Sequence, residues 1–171
     1  MYERVIFLDV DGVLNDSLTP DRAPGGFIGI SSQKVSYLKQ IVDYTHADIV
    51  LTSSWKSEWS SKPDECTDDG LYLAERLREQ GLTIADKTTD RSYDRGRGIV
   101  NWLESHPGVK HWVVLDDDRF ADYDEYGVIP HWVRSSWRHP GGLNPRLVPK
   151  AIHILTGGVG DGETESSGDW K

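Results

Sequence analysis

The sequence predicts an α/β domain with a mainly parallel sheet, on three grounds. Short β-rich apolar runs, Val5-Ile6-Phe7-Leu8, Ile49-Val50-Leu51 and Trp112-Val113-Val114-Leu115, each stop at polar residues, as strands buried on both faces do. Between them lie segments whose apolar residues recur at spacings of three and four, the period of a helix with one buried face. At 171 residues the chain is one domain's worth of sequence, so these elements share a core.

In chain order, Val5 to Leu8 is a buried strand that ends at Asp9-Val10-Asp11-Gly12. Residues 14–30, rich in Pro, Gly and Asp, read as loop. Ser31 or Ser32 can cap a helix carrying Val35, Leu38, Ile41 and Val42 on one face. It leads into the second strand, Asp48-Ile49-Val50-Leu51-Thr52. Residues 53–69, with Trp55, Trp59 and Pro63, read as a loop with a short helix. Leu71, Leu73, Ala74 and Leu77 give the second long helix, stopped by Gly81, and Leu82-Thr83-Ile84-Ala85 is a weaker strand. Ile99, Trp102 and Leu103 mark a third helix that ends near His106-Pro107, before the strand at Trp112. Residues 128–133 read as a short edge strand interrupted by Pro130. The last helix holds Ala151, Ile152 and Leu155, and either Pro145 or Pro149 can occupy its first turn. Residues 1–156 are thus read as the domain. Residues 157–171, with only Val159 and Trp170 to bury, are read as a flexible acidic Gly/Ser tail.

The hydrophobic share of 37%, with seven Trp and seven Tyr, supplies a core and excludes global disorder. The balance of 19 basic against 28 acidic residues, net −9, argues against attachment to nucleic acid or anionic membrane by general positive charge. Much of that acidity is concentrated, however. The tail holds −3 (Asp161, Glu163, Glu165 and Asp169 against Lys171), and Asp9, Asp11, Asp116 and Asp117 hold −4, which leaves −2 for the rest. Any nucleic-acid contact is therefore expected to be local to arginine-bearing segments and sensitive to salt. A single cysteine, Cys66, and no secretory signal at the start fit a reducing cytoplasm, and with no run of 18 apolar residues no membrane span is expected.

The chemistry begins with Asp9 and Asp11, two carboxylates two residues apart at the carboxyl end of the first strand, where open α/β sheets bind ligands. A calcium loop is excluded, because its fifth and sixth positions would be Val13 and Leu14. Other element boundaries offer partners. Thr52 closes the second strand with a hydroxyl taken as exposed. Arg97 opens the third helix, with Arg95 and Lys87 as rival cations. Asp116-Asp117-Asp118 closes the fourth principal strand, with either the first two or the last two as the paired carboxylates. A phosphate monoester repels nucleophiles by its charge, so its hydrolysis needs this combination of a positioned oxygen, cations and hydrogen-bond donors.

This order of groups resembles the haloacid dehalogenase (HAD)-like superfamily of phosphohydrolases. Phe7-Leu8-Asp9-Val10-Asp11-Gly12-Val13-Leu14 is similar to its first motif, Ile49-Val50-Leu51-Thr52 to its second, Arg97-Gly98-Ile99 to its third and Val113-Val114-Leu115-Asp116-Asp117 to its fourth. Ser54-Trp55 and Gly142-Leu143 are most similar to the small HAD domains of RNA-repair proteins, and the phosphatase domain of phage polynucleotide kinase/phosphatase is a more distant likeness. The resemblance implies a Rossmann-like sheet of order 5-4-1-2-3 with helices on both faces; the short intervals between motifs leave no room for a large cap domain. It implies Asp9 as the nucleophile that forms an aspartyl-phosphate, and Asp11 as the acid that protonates the leaving oxygen and then activates water. It implies Mg2+ held by Asp9, the Val10 carbonyl, Asp116 and Asp117, and phosphate held by Thr52, Ser53 and Arg97. The implied activity is a Mg2+-dependent phosphomonoesterase acting on nucleic-acid 3′-phosphate ends or nucleotides. A small-metabolite phosphatase and a catalytically inactive HAD-like binding module are the alternatives. The only expected partner is the phosphorylated substrate, with no membrane and no obligate protein partner.

Weaker signals are read plainly. The six histidines lack metal spacing, and the glycines at 157–162 lack the Lys-Ser/Thr of a phosphate loop. Residues 122–127 mimic a calcium loop but read as a solvated acidic loop. Trp55, Trp59, Trp132 and Trp137 can serve as core or as base-stacking faces, and residues 91–97 and 134–139 are the local basic patches.

Overall fold

The computed structural model describes residues 2–90 and 93–160. Five strands, β1 (Arg4–Leu8), β2 (Asp48–Leu51), β3 (Ile84–Lys87), β4 (His111–Asp116) and β5 (Trp132–Arg134), form one sheet of order β3-β2-β1-β4-β5. Every pairing is parallel, which is the expected fold and strand order. The helices are α1 (Ser32–Thr45), α2 (Asp68–Arg78), α3 (Arg95–Glu104) and α4 (Leu147–Leu155), with 3-10 turns at Ser54–Ser57, Pro63–Glu65 and Ile129–His131. Among the described residues, no helix is long and apolar enough to cross a membrane.

The apolar run of β1 sits at the centre because its side chains serve two cores. Ile6 and Leu8 pack with Leu38, Leu73 and Leu155, on the face covered by α1, α2 and α4, while Val5 and Phe7 pack with Ile99, Trp102 and Trp132 on the opposite face. That placement puts β1 between β2 and β4, with Leu8 level with Leu51 on one side and Leu115 on the other. The residues that follow all three strands therefore emerge together.

Boundaries differ from expectation where local hydrogen bonds intervene. β3 starts two residues late because the Leu82 N–H turns back to the Leu77 carbonyl after Gly81, whose φ is +77°. The expected 128–133 strand is partly a 3-10 turn around Pro130, and β5 begins only at Trp132. Ser31 is the cap of α1, accepting from the Lys34 N–H. The last helix starts at Leu147, after the Asn144 side chain accepts the Arg146 and Leu147 N–H groups, which leaves Pro149 in the first turn where its missing N–H costs nothing. Residues 157–160 of the expected tail run back along the body, where the Gly160 N–H meets the Pro130 carbonyl; residues 161–171 and Arg91 lie outside the described residues.

The 14–30 loop is braced by buried polar groups, and Asp16, 1% exposed, is its centre. It accepts from the Leu18 N–H at 2.9 Å and the Gly141 N–H at 3.0 Å, and it pairs with His139 at 2.8 Å and Lys34 at 3.5 Å. Burial alone would raise its pKa, but these donors hold it down to about 2. A carboxylate whose folded pKa lies below its unfolded value near 4 adds stability that is complete above that value and is lost as pH falls toward 2. Asp16→Asn is therefore expected to cost about 1.5–3 kcal/mol at neutral pH and to flatten the decline in unfolding free energy between about pH 4 and pH 2. Denaturant titrations across that range check this, and an unchanged pH slope in the variant would refute it.

Candidate active site

At the carboxyl edge of the sheet, the Asp9 N–H donates to the Leu115 carbonyl and the Thr52 N–H to the Leu8 carbonyl, each at 2.9 Å. The ladders thus carry one residue past each strand, and Thr52, Asp9 and Asp116 stand side by side. A carboxylate oxygen from each of Asp9, Asp116 and Asp117 lies within 4.8 Å of the others. β4 ends at Asp116, which is fully buried, so the pair is Asp116-Asp117, and Asp118 turns out to solvent while its N–H donates to Asp116 Oδ1 at 3.0 Å.

Gly12 is dictated by this geometry. Its φ is +82°, and a Cβ there would overlap the Asp117 side chain, so the turn after β1 can approach the end of β4 only without a side chain. The same turn positions Asp11. Asn15, fully buried, accepts the Gly12 N–H at 2.9 Å and donates to Asp11 Oδ1 at 2.9 Å, while Trp55 Nε1 donates to Asp11 Oδ2 at 3.2 Å. Both oxygens of Asp11 are thus held while the side chain still lines the crevice.

The cation among these carboxylates is Arg95. Its Nη1 donates to Asp116 Oδ2 at 2.8 Å and reaches Asp9 Oδ1 at 3.2 Å, and its guanidinium carbon lies 4.2 Å from the Phe120 ring centroid. Arg97, the cation expected from the sequence, is not among these carboxylates. Arg95 is the first residue of α3, and Arg97, about 200° further round the helix, is exposed, with its N–H donating to Asp122. Lys87 is spent on the Lys56 and Trp59 carbonyls, at 2.7 and 2.6 Å.

Four further expectations change. The Thr52 hydroxyl is buried, not exposed, and has no hydrogen-bond partner; Arg95 Nε is likewise buried and unpartnered. Ser53 is buried with its hydroxyl capping the Ser54–Ser57 turn through the Trp55 N–H, and Ser54 lines the crevice instead. The Val10 carbonyl accepts from the Val13 and Leu14 N–H groups at 3.1 and 2.8 Å, which uses both of its lone pairs, so it is not a free metal ligand. Of the tryptophans, Trp55, Trp59 and Trp132 are buried, while Trp137 is 39% exposed on the crevice wall. The 122–127 loop is not merely solvated. Asp122 accepts the Gly96 and Arg97 N–H groups at the start of α3, and the Tyr123 hydroxyl donates to Asp116 Oδ2 at 2.9 Å. Asn15 and Tyr123 were missed in the sequence. The one available signal was Asn15 as a lone amide beside the apolar Val13-Leu14.

Electrostatically the cluster carries too much negative charge for its burial. Burial first, then Asp116, pushes Asp9 well above the usual carboxylate range despite Arg95, and the same two causes push Asp117 up to about 7, with the two carboxyls hydrogen-bonded to one another. Burial and Asp116 also raise Tyr123, which stays a phenol donor. Burial works against the Arg95 charge, but Asp9 and Asp116 hold its pKa above the ordinary arginine value. An all-oxygen, multiply acidic pocket that needs positive charge fits a hard divalent cation such as Mg2+. The unpartnered Thr52 hydroxyl and Arg95 Nε fit an anion's oxygens.

The family model for the HAD domain in Swiss Army Knife RNA repair proteins matches residues 5–145. No curated protein matches. A crystal structure of a hypothetical protein from Xanthomonas campestris aligns with a TM-score of 0.45 and 19% identity, over 81% of this chain and 66% of that one.

In the metal-free chain Asp117 keeps its proton up to about pH 7, whereas unfolded it ionises near pH 4. The folded state then binds more protons between about pH 4 and 7 and loses stability as pH rises through that window, until a cation takes the protons' place. Mg2+ is expected to raise the thermal midpoint more at pH 8 than at pH 5, and Asp116→Asn is expected to remove that difference. Thermal scans with and without EDTA test this; an equal shift at both pH values would count against it.

Proposed function

Since the chain belongs to the family of HAD domains in Swiss Army Knife RNA repair proteins, a family of the phosphatase-type hydrolases, we propose that it is a Mg2+-dependent phosphomonoesterase working through an aspartyl-phosphate on nucleic-acid 3′-phosphate ends or nucleotides. The observation that carries this reading is Arg95 wedged between Asp9 and Asp116, with Thr52, whose hydroxyl is unpartnered, at the neighbouring strand end.

Asp9 Oδ attacks phosphorus and the bond to the leaving oxygen breaks, which splits one hard displacement into two easier ones. Arg95 neutralises equatorial oxygens of the transferring group, and the Thr52 hydroxyl donates to one of them. Asp11, oriented by Asn15 and Trp55, gives its proton to the leaving oxygen and then takes one from the water that cleaves the acyl phosphate. Asp9, Asp116 and Asp117 are the residues that would hold Mg2+, whose charge offsets theirs and the phosphate's. Among the described residues, neither the interval from Asp11 to Thr52 nor that from Thr52 to Arg95 contains a further domain, so the crevice, of about 380 Å3, stays open to a large substrate.

The full chain is expected to release phosphate from at least one member of a panel of nucleotides, 3′-phosphorylated oligonucleotides and sugar phosphates, with EDTA abolishing release. Asp9→Asn should lower it by roughly 10³-fold or more. No release from any substrate, or full activity in the variant, defeats the proposal. On an active substrate, Arg95→Ala is expected to lower kcat/KM by roughly 10²–10³-fold, whereas Arg97→Ala stays close to wild type. Steady-state kinetics showing the reverse ranking would return the role to Arg97.

A further inference from the structure

The phosphatase reading leaves open what lies on the far side of the scissile bond, and the geometry around Asp11 bears on it. A group that protonates the leaving oxygen must touch it, so the leaving group rests against Asp11. Asp11 lines the crevice, and it also lines an adjoining groove of about 240 Å3 formed with Phe27, Ser54, Trp55, Ser57 and Glu58. Phe27 is 59% exposed, yet it is held firmly. Arg22 and Ile28 bridge the two arms of its loop, the Ala23 N–H donates to the Phe27 carbonyl at 2.9 Å, and the Gly25 N–H donates to Asp69 at 2.8 Å. Its ring faces Trp55 at 6.0 Å between centroids, tilted by 53°.

An aromatic ring left in water on a braced loop, beside a reacting group, offers a face on which another flat group can stack. The lining contains two carboxylates, Asp11 and Glu58, and no Lys or Arg, so it suits an uncharged group and disfavours a second phosphate. Ser57 and Glu58 add hydrogen-bonding atoms at its edge, which a nucleobase can use and a phenol ring cannot. We propose that this groove is the leaving-group site and that Phe27 is its specificity-determining wall, on which the base of the substrate's terminal nucleoside stacks. The proposal rests on the phosphatase reading of the crevice.

The test compares the full chain and its Phe27→Ala, Phe27→Leu and Phe27→Trp variants on adenosine 3′-monophosphate, glycerol 2-phosphate and a phosphotyrosyl peptide. Phe27→Ala is expected to raise KM for the nucleotide by roughly 5- to 150-fold, with kcat and the glycerol phosphate kinetics near wild type. Trp should restore KM and Leu should not. A second measurement is adenosine binding by the EDTA-treated chain, read by equilibrium dialysis, which Phe27→Ala should abolish. Equal loss on glycerol phosphate, an unchanged nucleotide KM, or a larger effect on the phosphotyrosyl peptide than on the nucleotide would overturn the proposal. If the wild-type chain released phosphate from nothing, the phosphatase reading would fail, and adenosine binding would then decide the groove by itself.

Discussion

The mutual repulsion of Asp9, Asp116 and Asp117 is the constraint around which the rest of the structure is arranged. At the 4.8 Å limit of their spacing, two full charges repel by about 3–4 kcal/mol at an effective dielectric near 20, and burial adds to that cost. One guanidinium cannot cancel three carboxylates, and burial together with Asp116 raises the pKa of both Asp9 and Asp117. The sheet makes the juxtaposition unavoidable. Once β1 lies between β2 and β4 and ends level with both, Asp9 and Asp116 have no other place to emerge.

Rigidity around this cluster comes from groups outside it. Gly12 lets Asp117 close in, Asn15 ties the same turn to Asp11 and to the Gly29 carbonyl, and Asp16 joins the loop to α1 and to the 139–141 segment. On the other flank Asp122 satisfies the first N–H groups of α3, which fixes where Arg95 starts. Each is a buried or half-buried polar group with its partners in place, the condition under which a polar network rigidifies a site.

Strand identity and order were legible because the runs at Val5, Ile49 and Val113 must be buried on both faces, and a parallel sheet is the arrangement that does so. The carboxylates and Thr52 were legible because they stand at strand ends, where topology alone places them. Arg95 was harder. Choosing between it and Arg97 depends on where α3 begins, and its start is set by Asp122, 26 residues away from Gly96 in the chain. The Val10 carbonyl, the Ser53 hydroxyl and the roles of Asn15 and Tyr123 depend on turn geometry and on long-range contacts, which no local pattern encodes.

If the crevice is the phosphatase site proposed above, its openness bears on how it would select a substrate. Its outer walls are Ser54, Asp118, Phe120 and Trp137, and neither long interval between the motifs supplies a cover among the described residues. On that reading water must be displaced by the substrate itself, because the electrostatic stabilisation proposed for Arg95 and Thr52 would weaken wherever solvent remained. A small aliphatic phosphate leaves most of the opening wet. On the proposed reading, a leaving group that reaches from Asp11 to Phe27 would fill the adjoining groove, and its stacking would contribute binding energy that does not depend on charge. That matters in a chain with net charge −9. Were the substrate a nucleic acid, as proposed, long-range attraction would be weak and selection would have to come from short-range contact; Arg134 and Arg138, near Trp137 in the chain, line a neighbouring pocket. In the proposed reading, stacking in the Phe27 groove and the local charge of the arginines near Trp137 would divide the work that a cap or a uniformly basic surface would otherwise perform.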